Sequence, residues 1–365
     1  MSPYAFQTIN LRIGREKSAC VYPSAGQRIL GCCQQANALI GRTILHQIGI
    51  APVKPTLPVQ TRHMPQQPLG SRPLVVGSAG QVGAVLLKQL GPSAIAANRT
   101  PNETNTPVVD LAALSHHPET AAKILDDLQP TSILCVGGAT DVERCETDPS
   151  WATATNCNGP AALARAARHI PFVFFSTDYV FDGSDQNPGP YSEDAPTNPL
   201  SVYGRSKLEG EHAVAAAHPS PLILRTNVVF GPDRQRKNFL YTLHRLLSAG
   251  TTMRVPTDQL STPTYNEDLA AATLALASAG HTGLFHISGR ELLSRYDFAL
   301  LAADILSLDA SLIQPILTSE LNQRAARPLR GGLRIDKLLT TLPTLKIRTT
   351  RHAIEDWRSS SETNR

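Results

Sequence analysis

A short apolar run, Leu74-Val75-Val76, breaks into Gly77-Ser78-Ala79-Gly80-Gln81-Val82-Gly83, and an apolar-periodic segment follows to Leu90. This GxxGxxG spacing narrows the fold more than any other feature. A strand that ends in a glycine turn and passes directly into a helix is the opening of a βαβ unit. Gly77 suits the tight turn, Gly80 admits a pyrophosphate close to the backbone, and Gly83 lets helix and sheet pack. The free N–H groups and positive end of the helix point at the same spot. Residues 77–83 are therefore expected to cradle a dinucleotide. Three glycines can also serve only a bend, but the strand before and helix after favour the cradle.

Further short apolar runs lie at residues 93–97, 133–136, 172–175 and 222–224, with a late one at 283–287. Stretches of helical length, such as 160–168 and 203–217, separate them. Strand and helix in alternation predict an α/β fold, a Rossmann-type doubly wound parallel sheet over residues 73–226. His286, in the late strand, reads as a satisfied structural histidine, and no internal repeat is visible.

Residues 1–72 read as a separate basic, Pro-rich extension. They hold eight Lys or Arg against one acid, Glu16, so within an overall charge of +4 the rest of the chain is net acidic. That gives no support to a nucleic-acid surface on the main body. Pro52, Pro55, Pro58, Pro65 and Pro68 exclude a long helix there. A targeting leader, a disordered tail and a start assigned too far upstream all remain open. The six cysteines follow no CxxC spacing and the histidines form no HExxH, so no metal site is expected and a reduced, cytoplasmic setting is the simplest reading. No apolar run is long enough to span a membrane.

At the end of the second strand stand Asn98-Arg99, where NAD-preferring proteins place an acid for the ribose. Arg99 is suited to a 2′-phosphate, which favours NADP(H). Asp110-Leu111 is placed to meet the adenine, although a helix N-cap explains Asp110 almost as well.

The run at 172–175 leads into Ser176-Thr177-Asp178-Tyr179, and downstream comes Tyr203-Gly204-Arg205-Ser206-Lys207. Positions four apart share a helix face, which puts Lys207 beside Tyr203. A free phenol, with a pKa of ~10, is a poor acid–base group near neutrality. A neighbouring ammonium, helped by the positive nicotinamide, is expected to bring it toward working pH. Thr177 is placed to hydrogen-bond a substrate carbonyl. Thr177, Tyr203 and Lys207 form the candidate catalytic set.

These segments, with Pro190-Tyr191-Ser192-Glu193, Gly210-Glu211, Leu224-Arg225-Thr226, Asn238-Phe239, Asp258-Gln259, Pro263-Thr264-Tyr265 and Arg327-Pro328, resemble the dTDP-4-dehydrorhamnose reductase family over about residues 73–340. The resemblance implies a smaller C-terminal substrate-binding lobe, mainly residues 227–345 and interleaved with the Rossmann domain, then a tail over 346–365. It also implies NADPH-dependent reduction of a 4-keto nucleotide sugar. By the same resemblance Asp178, Asn238, Gln259 and Arg327 fall in substrate-lining segments, and Gly137, Gly138 and Ala139 in the nicotinamide-side loop. The chain departs from the family at two places. It has Asn227-Val228 where the family carries Ser-Trp, and Cys135 to Thr140 where the family reads Asn-Ala-Ala-Ala-Tyr-Thr.

Two other readings stay open. One is a non-catalytic binding protein like the regulatory subunit of methionine adenosyltransferase, which has no need of all three of Thr177, Tyr203 and Lys207. The other is an epimerase or dehydratase; a dehydratase would place Asp-Glu after the threonine, where this chain has Asp178-Tyr179. The sugar, the base and the oligomeric state, including a homodimer, are left undetermined.

Overall fold

In the structure, a computed structural model that describes residues 68–100 and 106–362, six parallel strands make the central sheet. They are β1 (Pro73–Val76), β2 (Ile95–Ala97), β3 (Ser132–Cys135), β4 (Phe172–Thr177), β5 (Leu222–Thr226) and the edge strand Gly283–His286. Their spatial order is Gly283–His286, β5, β4, β3, β1, β2, each pair parallel. Every residue of β1, β3 and β4 is buried, as expected of strands covered on both faces.

Alternate residues feed two cores. Leu74, Val76, Ile133, Cys135, Phe172 and Phe174 face one layer of helices, packing with Leu163 and Val214. Val75, Leu134, Val173, Phe175 and Leu224 face the other, with Leu86, Leu269 and Leu276. This period-two division is what a sheet sandwiched between helix layers requires. The strand order turns back between β1 and β3, and the carboxyl ends beside such a point form a ligand crevice.

A third core, around Phe230, Leu243, Phe298 and Trp357, belongs to the C-terminal portion. There Met253–Pro256 pairs in parallel with Ile313–Ile316, a pairing the residue pattern did not announce. Over its described residues the segment expected as a tail, 346–365, is built into the fold. Thr350–Glu362 is a helix whose Ala353, Ile354 and Trp357 are buried in that third core, on the spacing of one apolar stripe.

Phe181 and Tyr191 stack at 4.1 Å between ring centroids and pack with Leu333. His286 is fully buried with Nδ1 3.1 Å from the Tyr191 carbonyl, and burial pushes its pKa down to about 3. Its Nε2 has no partner among the described residues, so only half of the expected satisfaction is met. The basic extension lies outside the described residues up to 67. Its last part already joins the body: Leu69 N–H donates to Ala277, and Arg72 N–H to the Thr131 hydroxyl at 2.8 Å.

Candidate active site

The glycine loop closes as a cradle at the carboxyl end of β1. Gly77 has φ 86°, and a Cβ there would stand 2.6 Å from the Gly137 backbone, so a side chain is excluded on both counts. A Cβ on Gly83 would collide with the Gly77 carbonyl, which is the close helix–sheet packing its place in the pattern implies. The helix Gln81–Leu90 has Gly80 as its N-cap, with no side-chain cap and no acid in its first turn. Its leading N–H groups therefore remain free for an anion.

Asn98 holds this loop in shape. Its Oδ1 accepts from the Ser78 hydroxyl and the Ala79 N–H, both at 2.8 Å. Arg99, the next residue, is exposed. Asp110 caps the helix Leu111–His116 by accepting from Ala112 N–H at 2.9 Å, which is the N-cap role. Leu111 is buried beside Gly137. Gln81 and Val82 open the helix, and Gln81 Nε2 reaches the Val229 carbonyl at 3.0 Å.

Next to the cradle, Thr177, Tyr203 and Lys207 come together at the end of β4. Ser201 caps the helix Val202–Ala217 by accepting from Gly204 N–H, and Gly204 lies where a Cβ would strike the Tyr179 carbonyl. The first turn carrying Tyr203 is thereby pressed onto the strand end. The Thr177 hydroxyl donates to Asp178 Oδ1 at 3.3 Å and accepts from Tyr179 N–H at 3.2 Å. It lies near enough to the Tyr203 phenol to pull its pKa down, and the Tyr179 ring meets the Tyr203 ring edge-on at 5.5 Å.

Lys207 is buried with its ammonium 2.5 Å from the Phe175 carbonyl and 4.2 Å from the Phe174 ring. Burial brings its pKa down to about 8, against the opposing pull of Cys135 and Glu211. Here the structure corrects the expected pairing. Lys207 shares a face with Tyr203, but a buried ammonium requires oxygen acceptors, and the strand carbonyl supplies one. The phenol pKa is accordingly pushed up by burial, with the nearby Thr177 hydroxyl only partly opposing it.

A residue not singled out from the sequence organises the third wall. Asn156 is fully buried. Its Oδ1 accepts from Ala139 N–H at 2.8 Å, and its Nδ2 donates to the Ala139 carbonyl at 3.1 Å and the Ser206 hydroxyl at 3.0 Å. The helix widens to a π turn over Ala154–Asn158 to present it. Gly138 and Ala139 are thus fixed opposite Lys207; a Cβ on Gly138 would sit 3.9 Å from Lys207 Nζ. The available signal was a pair of Asn residues, Asn156 and Asn158, in an Ala- and Thr-rich helical run.

Beneath the site, Glu211 takes two bonds from Arg225, at 2.8 and 2.7 Å, and one from the Ser176 hydroxyl at 2.5 Å. This buried network ties the Tyr203 helix to β4 and β5.

The four substrate-lining candidates do not form one cluster. Asp178 is buried beside Thr177, and burial raises its pKa to about 6 despite bonds from Asn227 and Thr177. Asn238 caps the helix Phe239–Ser248, and its Nδ2 bonds Gln81 Oε1 at 3.1 Å and the Gly231 carbonyl at 2.9 Å, so it braces the phosphate cradle. The Gln259 carbonyl accepts from Arg295 N–H at 2.9 Å. Arg327 pairs with Glu143 at 2.9 Å and bonds Tyr179. Val228 has φ 36°, a strained value for a β-branched residue. Among the described residues no cluster of His, Cys, Asp or Glu is placed to hold a metal ion, and no helix is long and apolar enough to cross a membrane.

Residues 71–361 match the RmlD substrate binding domain family. The chain is 36% identical over 283 residues to the dTDP-4-dehydrorhamnose reductase of Sinorhizobium fredii, covering 73% of this chain and 90% of that protein. Its fold is similar to the crystal structure of a dTDP-4-dehydrorhamnose reductase from Clostridium acetobutylicum, with a TM-score of 0.72 and 29% identity over 80% of this chain and 99% of that one. The Bacillus anthracis enzyme of the same name, in complex with NADP, superimposes with a TM-score of 0.70 at 24% identity, over 79% and 99%.

Proposed function

The chain belongs to the RmlD substrate binding domain family, and from that premise we propose that it is an NADPH-dependent reductase of a 4-keto nucleotide sugar, with Tyr203 as the proton donor. The observation that carries this reading is the meeting of Thr177, Tyr203 and Lys207 at the strand end beside the glycine cradle. A non-catalytic binder has no use for a threonine hydroxyl, a phenol and a buried ammonium in one place.

The residues present fit the cofactor. At the glycine cradle the leading N–H groups of the helix Gln81–Leu90 are uncovered for a pyrophosphate, and exposed Arg99 stands beside it for a 2′-phosphate. When bound, NADPH supplies the hydride. Gly137, Gly138 and Ala139 form the wall that would border its nicotinamide end.

The chain's own groups do the rest. Thr177 donates to the substrate carbonyl oxygen and polarises it. Tyr203, held protonated by burial, gives its proton to the same oxygen as negative charge develops there. The phenol is protonated near neutrality, so the acid is loaded when reduction starts. Lys207, still largely cationic near neutrality, stabilises the phenolate that remains. Asn156 keeps the facing loop rigid by holding both polar groups of Ala139.

The test is to follow NADPH oxidation optically with a panel of 4-keto nucleotide sugars. Turnover with at least one of them is expected. NADPH binding without turnover on any of them would leave the non-catalytic reading in its place.

A further inference from the structure

Tyr203, Lys207 and Glu211 follow one another at four-residue steps on the helix Val202–Ala217, so the three share one face of it. Strand β4 meets this stripe on consecutive residues. Lys207 donates to the Phe175 carbonyl at 2.5 Å, the Ser176 hydroxyl donates to Glu211 Oε1 at 2.5 Å, and Thr177 comes next. One carboxylate therefore grips the strand between the acceptor that holds the ammonium and the threonine of the catalytic set.

This carboxylate has a fixed partner. Arg225 stands opposite Ser176 in the β4–β5 register and donates to Glu211 through Nε at 2.8 Å and Nη2 at 2.7 Å. Its guanidinium also lies 5.2 Å from the centre of the Phe181 ring. The two side chains are 5% and 6% exposed. A buried pair of this kind is a poor source of net stability, because desolvation offsets the attraction. A neutral Gln on Ser176 would tie helix to strand at lower cost. What a charge adds is its field on the groups it borders.

Lys207 is the group it borders. Around that ammonium stand the Cys135 thiol of β3, the Phe174 ring and Phe175 carbonyl of β4, the Gly138 backbone, and Tyr203 and Glu211 of its own helix. Burial favours the neutral amine, opposed by Cys135 and Glu211. Burial pushes the Cys135 thiol up to about 12, so near pH 8 it is uncharged, and Glu211 supplies the negative charge. We propose that Glu211, fixed by Arg225 and Ser176, is a positioning residue that keeps the Lys207 ammonium charged and seated on the Phe175 carbonyl, a role in reduction that rests on the reductase reading above. Lys207 in turn is the group that faces the phenolate left by Tyr203.

The experiment reads the Lys207 proton twice on the full chain. One reading is the alkaline limb of the pH–rate profile with a 4-keto nucleotide sugar. The other is NMR titration of protein isotopically labelled at lysine, in which the Lys207 signal is the one missing from Lys207→Met. Glu211→Gln keeps the shape and an acceptor for Ser176 while removing the charge. Both readings should move down by about 1 pH unit, the effect of losing one nearby opposite charge. That variant strands Arg225, so Glu211→Gln combined with Arg225→Met is made beside it. The double variant removes both buried charges and is expected to fold. It should keep a downward shift of at least about half a unit. Ser176→Ala loosens the same network without removing a charge, and should leave the lysine titration in place. Titrations that stay put in both Glu211 variants, or that Ser176→Ala moves as far, overturn the assignment and leave the reductase reading intact. A wild type that reduces none of the sugars overturns the reductase reading and the positioning role with it.

Discussion

Asn156 matches both polar groups of a single peptide residue, Ala139, as a neighbouring strand would: Oδ1 to its N–H at 2.8 Å and Nδ2 to its carbonyl at 3.1 Å. The pair is buried, so water cannot replace either bond. Asn156→Ala should therefore cost about 2–3 kcal/mol of stability, the penalty for stranded buried groups rather than the smaller net worth of a bond. Asn156→Asp should be no better, because a carboxylate cannot donate to the Ala139 carbonyl. Chemical denaturation of the two variants checks this, and an unchanged midpoint for Asn156→Ala would show that the loop does not depend on the side chain.

Tyr203→Phe removes the proposed acid and keeps the ring that packs edge-on against Tyr179. Turnover of a 4-keto nucleotide sugar is expected to fall by ~10²–10⁴, the usual contribution of a positioned general acid. NADPH affinity should change by less than about 1 kcal/mol, since at most one neutral hydrogen bond is lost. Steady-state kinetics and a fluorescence titration on the same preparation separate the two quantities.

Lys207 makes activity and stability respond to pH in opposite senses. With its pKa lowered to about 8 from 10.5, the folded protein holds this proton more weakly than the unfolded chain does. Between those two values the unfolded state binds more protons, so stability rises with pH, by up to about 3 kcal/mol from this group. The cation is lost over the same range, so turnover should fall as pH passes about 8. Unfolding curves of wild type against Lys207→Met, set beside pH–rate profiles, measure both. A wild-type profile flat to pH 10 would mean that the ammonium has no part in the reaction.

Arg99 is exposed beside the loop that Asn98 holds in shape, and no acid takes the ribose position there. Arg99→Ala should narrow a preference for NADPH over NADH by roughly 10- to 100-fold, chiefly by weakening NADPH. Competitive titration of both cofactors tests it; equal affinities in the unmutated protein would remove Arg99 from the cofactor site.

Much of this protein is written locally. The five strands of the Rossmann half, the glycine turn and the helix that carries Tyr203 and Lys207 each depend on residues adjacent in the chain. Apolar runs end in turn-formers, Asp110 caps a helix, and a four-residue spacing aligns two side chains. Such features are decided by backbone sterics and short-range hydrogen bonds, so the amino-acid order alone was enough to place them. The partners of the polar groups were decided otherwise. The spacing set Lys207 beside Tyr203, yet tertiary packing brought the Phe175 carbonyl within reach, and a buried ammonium took the stronger acceptor. Asn238 was placed near a substrate by resemblance, and the folded chain made it a helix cap that also grips Gln81. The apolar stripe of Thr350–Glu362 was present in the residues, but only the lobe core showed that it is buried. Asn156 meets Ala139 across 17 residues, and Arg327 meets Glu143 across 184. Those encounters depend on closing long loops around a packed core, and a donor's partner is whichever acceptor that packing delivers.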